Sequence, residues 1–326
     1  MTADRPTEHD LDVKSRVHPK YTTKYRVGSW PAYDRTLIQR GDVTLWLAPE
    51  AIARWETAGV GTRGGQLQYS DVAIETALTL RLLFHLPLRQ TEGFLRSIFG
   101  MLGLDLSAPD HTTLSRRAQR LTLTLRRVPT GTGIHLIVDS TGLSIVGEGE
   151  WAAVKHGRRG TRGWKKLHLG VDGTGVIVAH ALTGGHVDDA TTALDLINKV
   201  EGNVSCLTAD AAYDTVAFYD AAGSRGATVV VPPDKTARVS GRRPRSSARD
   251  RTITAVKAIG RRRWKKASGY HRQARVENAF FRYKSIIGEA LRARTPRGQE
   301  SEAWLACNVL NRMTKLGRPD SYSLGP

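Results

Sequence analysis

The sequence has few cysteines, no long apolar run and too few acidic residues to balance its basic ones. Its two cysteines, Cys206 and Cys307, exclude a disulfide-stabilised scaffold and a zinc module built on cysteine ligands. No stretch approaches the roughly 20 apolar residues that cross a membrane, and the N-terminal residues lack the apolar core of a signal peptide. We therefore expect a cytoplasmic protein with no membrane partner.

The dominant feature is an excess of positive charge. The 326 residues include 49 Lys and Arg against 31 Asp and Glu, which gives a formal net charge of +18. Such an excess is typical of proteins that bind nucleic acid; a basic ribosomal protein and a membrane-surface protein are the alternatives. The hydrophobic content of 40% is enough for a substantial core.

Composition and periodicity divide the chain into four parts. Residues 1–28 are polar and aperiodic, which predicts a flexible tail. Residues 29–129 predict a helical DNA-binding region. Residues 130–290 predict an α/β domain with a basic insert at 234–269, and residues 291–326 predict a C-terminal helix followed by a tail.

The helical region has the signals of a helix-turn-helix. Ser70 or Asp71 can cap the first helix, and the Asp110-His111-Thr112 stretch can cap the third. The last of three successive helices carries Arg116 and Arg117 on its expected exposed side. This arrangement is typical of helices that enter DNA; a helical bundle with a solvated basic face is the alternative.

The order of elements from residue 130 onwards predicts a ribonuclease-H-like domain. Ile134–Val138 is a β-branched run, and two alternating segments around the Asp172 turn predict a hairpin. Helices then alternate with apolar strands at Val204–Thr208 and Ala227–Val231. Three antiparallel strands followed by two parallel ones make a mixed, five-stranded sheet.

Three acidic residues fall where this fold could bring them together. Asp139 and Asp210 each follow an apolar strand, and Glu277 lies on the last helix of the domain. Converging carboxylates repel each other and need a cation, and oxygen ligands select Mg²⁺ or Mn²⁺. Two such ions could promote in-line phosphoryl transfer. Taken singly, each acid could instead be a helix cap or a surface salt bridge.

The residues around Glu277 are suited to contact DNA. Tyr270, Gln273 and Lys284 share a face with Glu277 if the helix already begins at Tyr270. The stretch from residue 234 to 275 contains 15 Lys and Arg against two Asp, a net charge of +13. Its expected DNA contacts are Arg261, Arg262, Arg263, Lys265, Lys266, Arg272 and Arg275. Trp264 could stack on an unpaired base or lie in the core.

Two other acidic segments have plainer explanations. His186-Val-Asp188-Asp189 has the look of a metal cluster, but it is better explained as the cap of the following helix. Asp214 could support the three acids, although we expect it to cap the helix that starts near Thr215.

The sequence resembles the DDE transposases of bacterial insertion sequences. The resemblance rests on Asp139, on Asp210-Ala-Ala-Tyr-Asp214, and on Tyr270 to Glu277 with Lys284, which follow a Tyr-x2-Arg-x3-Glu-x6-Lys signature. It extends from about Trp30 to Thr314. The family implies Mg²⁺-dependent cleavage at transposon ends and joining of the 3′-OH to target DNA. It also implies that the three acids bind the metals, that Tyr270 and Lys284 contact DNA, and that the helical region binds terminal inverted repeats.

One departure from the signature keeps alternatives open. Gln273 stands where the signature has arginine, and an amide gives a phosphate a weaker hydrogen bond than a guanidinium. A transposase that acts as a homodimer on double-stranded DNA, associated with the bacterial nucleoid, is our leading interpretation. A hydrolytic nuclease on the same fold and a decayed DNA-binding copy are the alternatives.

Overall fold

The first part of the chain is mainly helical. The structure, a computed structural model, describes residues 25–57, 67–122, 124–125, 133–147, 164–240 and 247–323. After strand β1 (Tyr25–Val27) come helices α1 (Trp30–Gln39), α2 (Val43–Trp46), α3 (Pro49–Ala53), α4 (Asp71–Leu83), α5 (Leu88–Met101) and α6 (His111–Ala118). An isolated bridge pairs Glu56 with Tyr69, so the described part of this region is not purely helical.

Two of these helices begin at the predicted caps. The Ala73 N–H donates to the Ser70 hydroxyl at 3.1 Å, and the Thr112 and Thr113 N–H groups donate to the Asp110 carboxylate at 2.7 and 2.8 Å. These bonds satisfy backbone donors that a helix start leaves without an intrahelical partner.

A mixed sheet occupies the middle of the chain. Its main strands are β2 (Ile134–Ile145), β3 (Trp164–Val171), β4 (Ile177–Gly184), β5 (Val204–Thr208) and β6 (Thr228–Val230), in the order β4-β3-β2-β5-β6. The first three pair antiparallel, and β5 and β6 add in parallel. The predicted pairing is therefore confirmed. A sixth strand, β7 (Ala290–Leu291), pairs with the end of β2 and corrects the expected count of five.

Helices connect and follow these strands. Helix α7 (Asp189–Lys199) leads from β4 to β5, and α8 (Val216–Ser224) leads from β5 to β6. The basic insert forms α9 (Ser247–Ile259) and α10 (Arg261–Ala267), so it is not a disordered loop over these residues. A 3-10 turn at Tyr270–Gln273 precedes α11 (Ala274–Ile286), and the long α12 (Pro296–Leu316) follows β7.

Both faces of the sheet are covered by apolar side chains. Leu136 and Val138 of β2 pack on one face with α7 and α8, whereas Ile137 and Leu143 pack on the other with α4, α11 and α12. This alternation follows the two-residue period of a strand. The second of these cores also includes Leu114 of α6, so one core spans the helical region and the sheet.

The two ends of the described chain pair with each other. Strand β1 runs antiparallel to β8 (Ser321–Ser323). The expected tail therefore does not include residues 25–27, and residues 1–24 lie outside the described part. Strand β7 lies across the expected boundary at residue 290. No helix within the described ranges is long and apolar enough to cross a membrane.

Candidate active site

The sheet places Asp139 beside Asp210. In the parallel ladder between β2 and β5, Ile137 pairs with Thr208. Asp139 and Asp210 each lie two residues further along, and neighbouring strands are about 4.8 Å apart. Asp139 does not end its strand as expected, because β2 continues to Ile145 by pairing with β3.

Glu277 reaches the same region from the first turn of α11. This helix contacts β2 and β3 and buries Val276 and Phe280, which leaves Glu277 on its exposed side. The preceding Tyr270–Gln273 segment is a 3-10 turn rather than part of the α-helix. Tyr270 and Gln273 therefore do not share an α-helical face with Glu277, because the α-helix begins only at Ala274.

Electrostatics show that the three carboxylates interact. Burial raises the pKa of Asp139 to about 6; the Ser140 N–H opposes this rise, and the charges of Asp210 and Glu277 add to it. Burial also raises the pKa of Tyr270 to about 12, with further contributions from all three acids. The three carboxylates therefore lie near enough to the Tyr270 phenol to interact with it electrostatically.

The donor set suits a hard divalent cation. Among the described residues, none of the three carboxylates has a Lys, Arg or His nitrogen within ion-pair distance. Their mutual repulsion is therefore uncompensated, and oxygen ligands are those that Mg²⁺ and Mn²⁺ prefer. Within the described ranges, no three His, Cys, Asp or Glu side chains already form a group that could hold an ion. Binding would require these side chains to draw together.

Gln273 is buried beside Asp139, and a hydrogen bond from its side chain opposes the rise in the pKa of Asp139. The Gln273 side chain is 3% exposed, and its Nε2 donates to the Val138 carbonyl at 3.5 Å. Its Oε1 is buried without a hydrogen-bond partner among the described residues. The expected contact between Gln273 and a phosphate is therefore corrected: the 3-10 turn directs this neutral side chain towards β2.

The basic insert divides its predicted contacts between surface and interior. Arg262, Arg263 and Lys266 are exposed on α10, whereas Trp264 is only 8% exposed. Burial of Trp264 holds α10 against the protein and corrects the expectation that its indole stacks on a base. Within the insert, Arg261 donates to the Pro233 carbonyl. The Lys265 Nζ lies 4.4 Å from the centre of the Tyr270 ring, in a cation–π contact.

Three further basic residues flank the acids. Arg272 and Arg275 are exposed, and the Arg272 guanidinium lies 2.9 Å from Nδ1 of His135. Burial and this guanidinium lower the pKa of His135 to about 4. Lys284 is half-buried two turns after Glu277 on α11.

The basic helix α6 offers less to DNA than its sequence predicted. Arg116 is exposed, but Arg117 is buried and donates to the Tyr69 carbonyl at 2.8 Å and to the Asp71 carboxylate at 2.6 Å. Arg117 therefore joins α6 to the start of α4. Its expected role as a DNA contact is corrected, because its partners lie too far away in sequence for a charge pattern to reveal them.

Sequence reasoning missed several residues near the acids. Asp214 does not cap α8, whose cap is Thr215; it forms a bidentate ion pair with Arg249, both contacts at 2.8 Å. The predicted cap at Asp188 is confirmed. Its neighbour Asp189, however, accepts hydrogen bonds from the Ser140 hydroxyl and from the Lys166 ammonium. Neither the spacing of these residues nor the charge pattern predicted these contacts. These bonds measure 3.0 and 2.9 Å.

Sequence reasoning also missed Phe281 as a candidate DNA contact. It is 70% exposed and lies four residues after Glu277, which places it about one turn along the same side of α11. A large exposed aromatic side chain beside the acids is available for stacking. Its spacing from Glu277 was a signal that the sequence offered.

Comparisons with known proteins identify the family of this chain. The chain matches a family described as Transposase DDE domain over residues 130–312, and a second family with the same description over residues 38–148. The first match covers more than half of the chain, and the chain therefore belongs to the DDE transposase family. One similar solved structure is a piggyBac transposase synaptic complex with hairpin DNA, determined by cryo-EM. It is 10% identical over 86% of this chain and 75% of that chain, with a TM-score of 0.36, which is too low to establish a shared fold.

Proposed function

We propose that this chain is a metal-dependent transposase that cleaves DNA at transposon ends and joins the freed 3′-OH to target DNA. The observation that carries the proposal is the placement of Asp139 and Asp210 beside each other in the sheet, with Glu277 on a helix that contacts β2 and close enough to add to the raised pKa of Asp139. Among the described residues, none of the three acids has an ion-pair partner. A purely structural cluster of acids would be expected to contain its own positive partners.

The three acids would hold Mg²⁺, with Mn²⁺ as a substitute. The chemistry supplied when the ions are bound is activation of the attacking oxygen and stabilisation of the leaving one. Asp139 is held rigidly within β2, Asp210 at the end of β5, and Glu277 on α11. Three separate elements would thus supply carboxylates that draw together around the ions, beside the scissile phosphate.

The neighbouring residues would orient the DNA. The Tyr270 phenol is protonated at neutral pH, as tyrosines ordinarily are, and burial raises its pKa further, so the hydroxyl can donate to a phosphate oxygen. Lys284 and the exposed Arg272, Arg275 and α10 cations would contact further phosphates. Phe281, rather than the buried Trp264, is the aromatic side chain placed to stack on a base exposed at the cut.

Other parts of the assignment follow from handling two transposon ends. We propose that the helical region binds the terminal inverted repeats and that two copies act together on double-stranded DNA. The work would take place at the bacterial nucleoid in the cytoplasm. A hydrolytic nuclease shares the same acids but lacks the joining step. A decayed copy is favoured by one observation, the buried neutral Gln273.

A strand-transfer assay tests the proposal. Purified protein is incubated with a labelled fragment that contains the element's end and with supercoiled plasmid, in Mg²⁺ or in EDTA. We expect Mg²⁺-dependent cleavage followed by joining of the end to the plasmid. Cleavage without joining would identify a nuclease. DNA binding with neither activity would identify a decayed copy, and recovery in Gln273→Arg would trace the defect to that residue.

A further inference from the structure

A large basic groove lies away from the candidate acids. It has a volume of about 1050 Å³ and separates the helical region from the start of α12. One wall comes from α4, α5 and α6, and the other from the segment that links β7 to α12. Val146, the residue after β2, lies at its edge. None of the contacts predicted from the sequence lies in this groove.

The groove carries a concentrated positive charge. Its charged lining residues are four arginines, Arg81, Arg89, Arg292 and Arg294, against the single glutamate Glu302. The Glu302 carboxylate already accepts hydrogen bonds from the backbone N–H groups of Arg292 and Ala293, at 2.8 to 3.1 Å. The carboxylate is therefore partly engaged, and an excess of three positive charges faces the groove.

Burial disfavours the charged form of Arg81. Burial lowers its pKa, Glu302 acts against this lowering, and Arg292 adds to it. Its Nε is buried without a hydrogen-bond partner among the described residues. A desolvated guanidinium near a second guanidinium is stabilised by a ligand with several anionic oxygens.

The backbone at the rim is also unusual. His85, which lines the groove, has φ 54° and is the one non-glycine residue of the described ranges with a positive φ. Such conformations are uncommon outside glycine and often occur at binding sites. The positive φ of His85 belongs to the turn that ends α4, in which the His85 and Leu86 N–H groups donate to the Leu82 and Arg81 carbonyls.

The position of the groove relative to Asp139 suggests which anion it takes. Val146 lies seven residues after Asp139 in and just beyond β2, which corresponds to about 23 Å at 3.3 Å per residue. At about 3.4 Å per base pair, a duplex with its end at the acids would reach the groove after six or seven base pairs.

We propose that this groove binds the phosphate backbone of the transposon-end DNA about six or seven base pairs inside the cleavage site. This inference rests on the proposed function. The groove would fix the distance between the bound repeat and the acids, because it joins the helical region to the segment that follows α11 and β7.

Neutralising two exposed arginines of the groove tests the proposal. Arg89→Gln with Arg294→Gln removes two charges from side chains that are exposed, which limits the effect on folding. We expect weaker binding of an end duplex and a slope of log K against log salt that is smaller by about two. Arg89→Lys with Arg294→Lys should keep most of the slope, and the matched control Lys199→Gln with Lys315→Gln, at exposed residues outside both the groove and the helical region, should keep wild-type binding.

Neutral phosphates locate the contact along the DNA. A methylphosphonate six or seven base pairs inside the end should weaken binding by wild-type protein but not by the double glutamine variant. A methylphosphonate about 15 base pairs inside should weaken both equally. Inorganic phosphate and ATP should each shift the Tm of the wild type and of the double glutamine variant equally. A larger shift in the wild type would show that the groove binds a free phosphate or nucleotide instead of DNA.

The outcomes separate this inference from the proposed function. An unchanged salt slope in the double glutamine variant, or equal sensitivity of both proteins to the inner methylphosphonate, would overturn the groove assignment even if cleavage and joining occur. Conversely, a wild-type protein that binds the duplex through the groove but neither cleaves nor joins it would contradict the proposed activity and leave the groove assignment supported.

Discussion

Asp210 and Asp214 lie four residues apart and have opposite surroundings. The Asp214 side chain is 1% exposed, and it accepts hydrogen bonds from Nε and Nη2 of Arg249 and from the Asp234 N–H. Asp210 accepts a hydrogen bond from the Ala212 N–H at 2.9 Å and has Asp139 as its neighbour across the sheet. One carboxylate is neutralised by the protein itself, whereas the other adds to a cluster of like charge.

This difference separates a structural carboxylate from a functional one. A buried charge that serves the fold is paired, because an unpaired one is strongly destabilising. A cluster left without a cation stores repulsion that a bound ion can relieve, and such clusters are concentrated at functional sites. The bidentate pair also ties α9 of the basic insert to the segment that carries Asp210.

Removing Asp139 should have the largest effect. Asp139→Asn should lower cleavage by at least about a thousand-fold, since a metal contributes several kcal/mol of transition-state stabilisation. The metal-free variant should be no less stable than wild type at pH 7, because one of three repelling charges is gone. DNA cleavage and thermal unfolding, each with and without Mg²⁺, measure both effects.

The control is Asp195→Asn, at an exposed acid of α7 outside the cluster. It should keep both wild-type cleavage and the rise in Tm that Mg²⁺ gives the wild type. Wild-type cleavage by Asp139→Asn would remove Asp139 from the catalytic site and break the distinction between the two kinds of carboxylate.

Removing Asp214 should produce the converse result. Asp214→Asn leaves Arg249 largely buried and without its ionic partner, which should lower the free energy of unfolding by about 3–5 kcal/mol. Urea unfolding measures this loss. Cleavage by the protein that remains folded should still depend on Mg²⁺, because Asp214 is not expected to bind the ion.

Arg249→Lys provides the matched comparison. It keeps the charge but loses the two-point geometry, so its loss of stability should be smaller than that of Asp214→Asn. A loss below about 1 kcal/mol in Asp214→Asn would equal that of a surface ion pair and would show that burial of this pair matters little.

The sequence allowed the sheet and the positions of its acids to be predicted. Asp139 and Asp210 were recognisable because a carboxylate next to an apolar strand needs a local explanation. The pairing of β2 with β5 followed from the order of strands and helices. The extension of β2 beyond Asp139 was not predictable, because residues Ser140 to Ser144 are stabilised by pairing with β3, not by their own apolar pattern.

The errors concern side chains whose partners are distant in sequence. Arg117 is buried by contacts with Tyr69 and Asp71, more than 40 residues earlier. Gln273 is directed to Val138, 135 residues away. Counts of charge and helical angles describe a residue's own element, so they cannot distinguish an arginine that faces DNA from one that joins two helices.

Outside the site, His180 is also buried without a hydrogen-bond partner among the described residues. Its replacement should have the smallest effect of these substitutions. Both ring nitrogens of His180 are buried without hydrogen bonds among the described residues, and its ring lies 4.3 Å from that of Trp304. Burial, with a smaller contribution from Lys199, lowers the pKa of His180 to about 3. Below its unfolded pKa of about 6.5, the unfolded chain therefore binds a proton that the folded protein does not.

The stability contributed by neutral His180 is present above about pH 6.5 and is lost as the pH falls towards 3. At pH 5 this loss is about 2 kcal/mol. His180→Phe keeps an aromatic ring against Trp304 and should remove that part of the loss between pH 7 and pH 5, as measured by urea unfolding. Replacement of the exposed His186 by Asn should leave the pH dependence unchanged. His180 lies two strands from Asp139, because Leu169 pairs with both residues. Impaired cleavage by folded His180→Phe would show that this unpartnered buried group also serves function, whereas wild-type cleavage would restrict such a role to the repelling carboxylates.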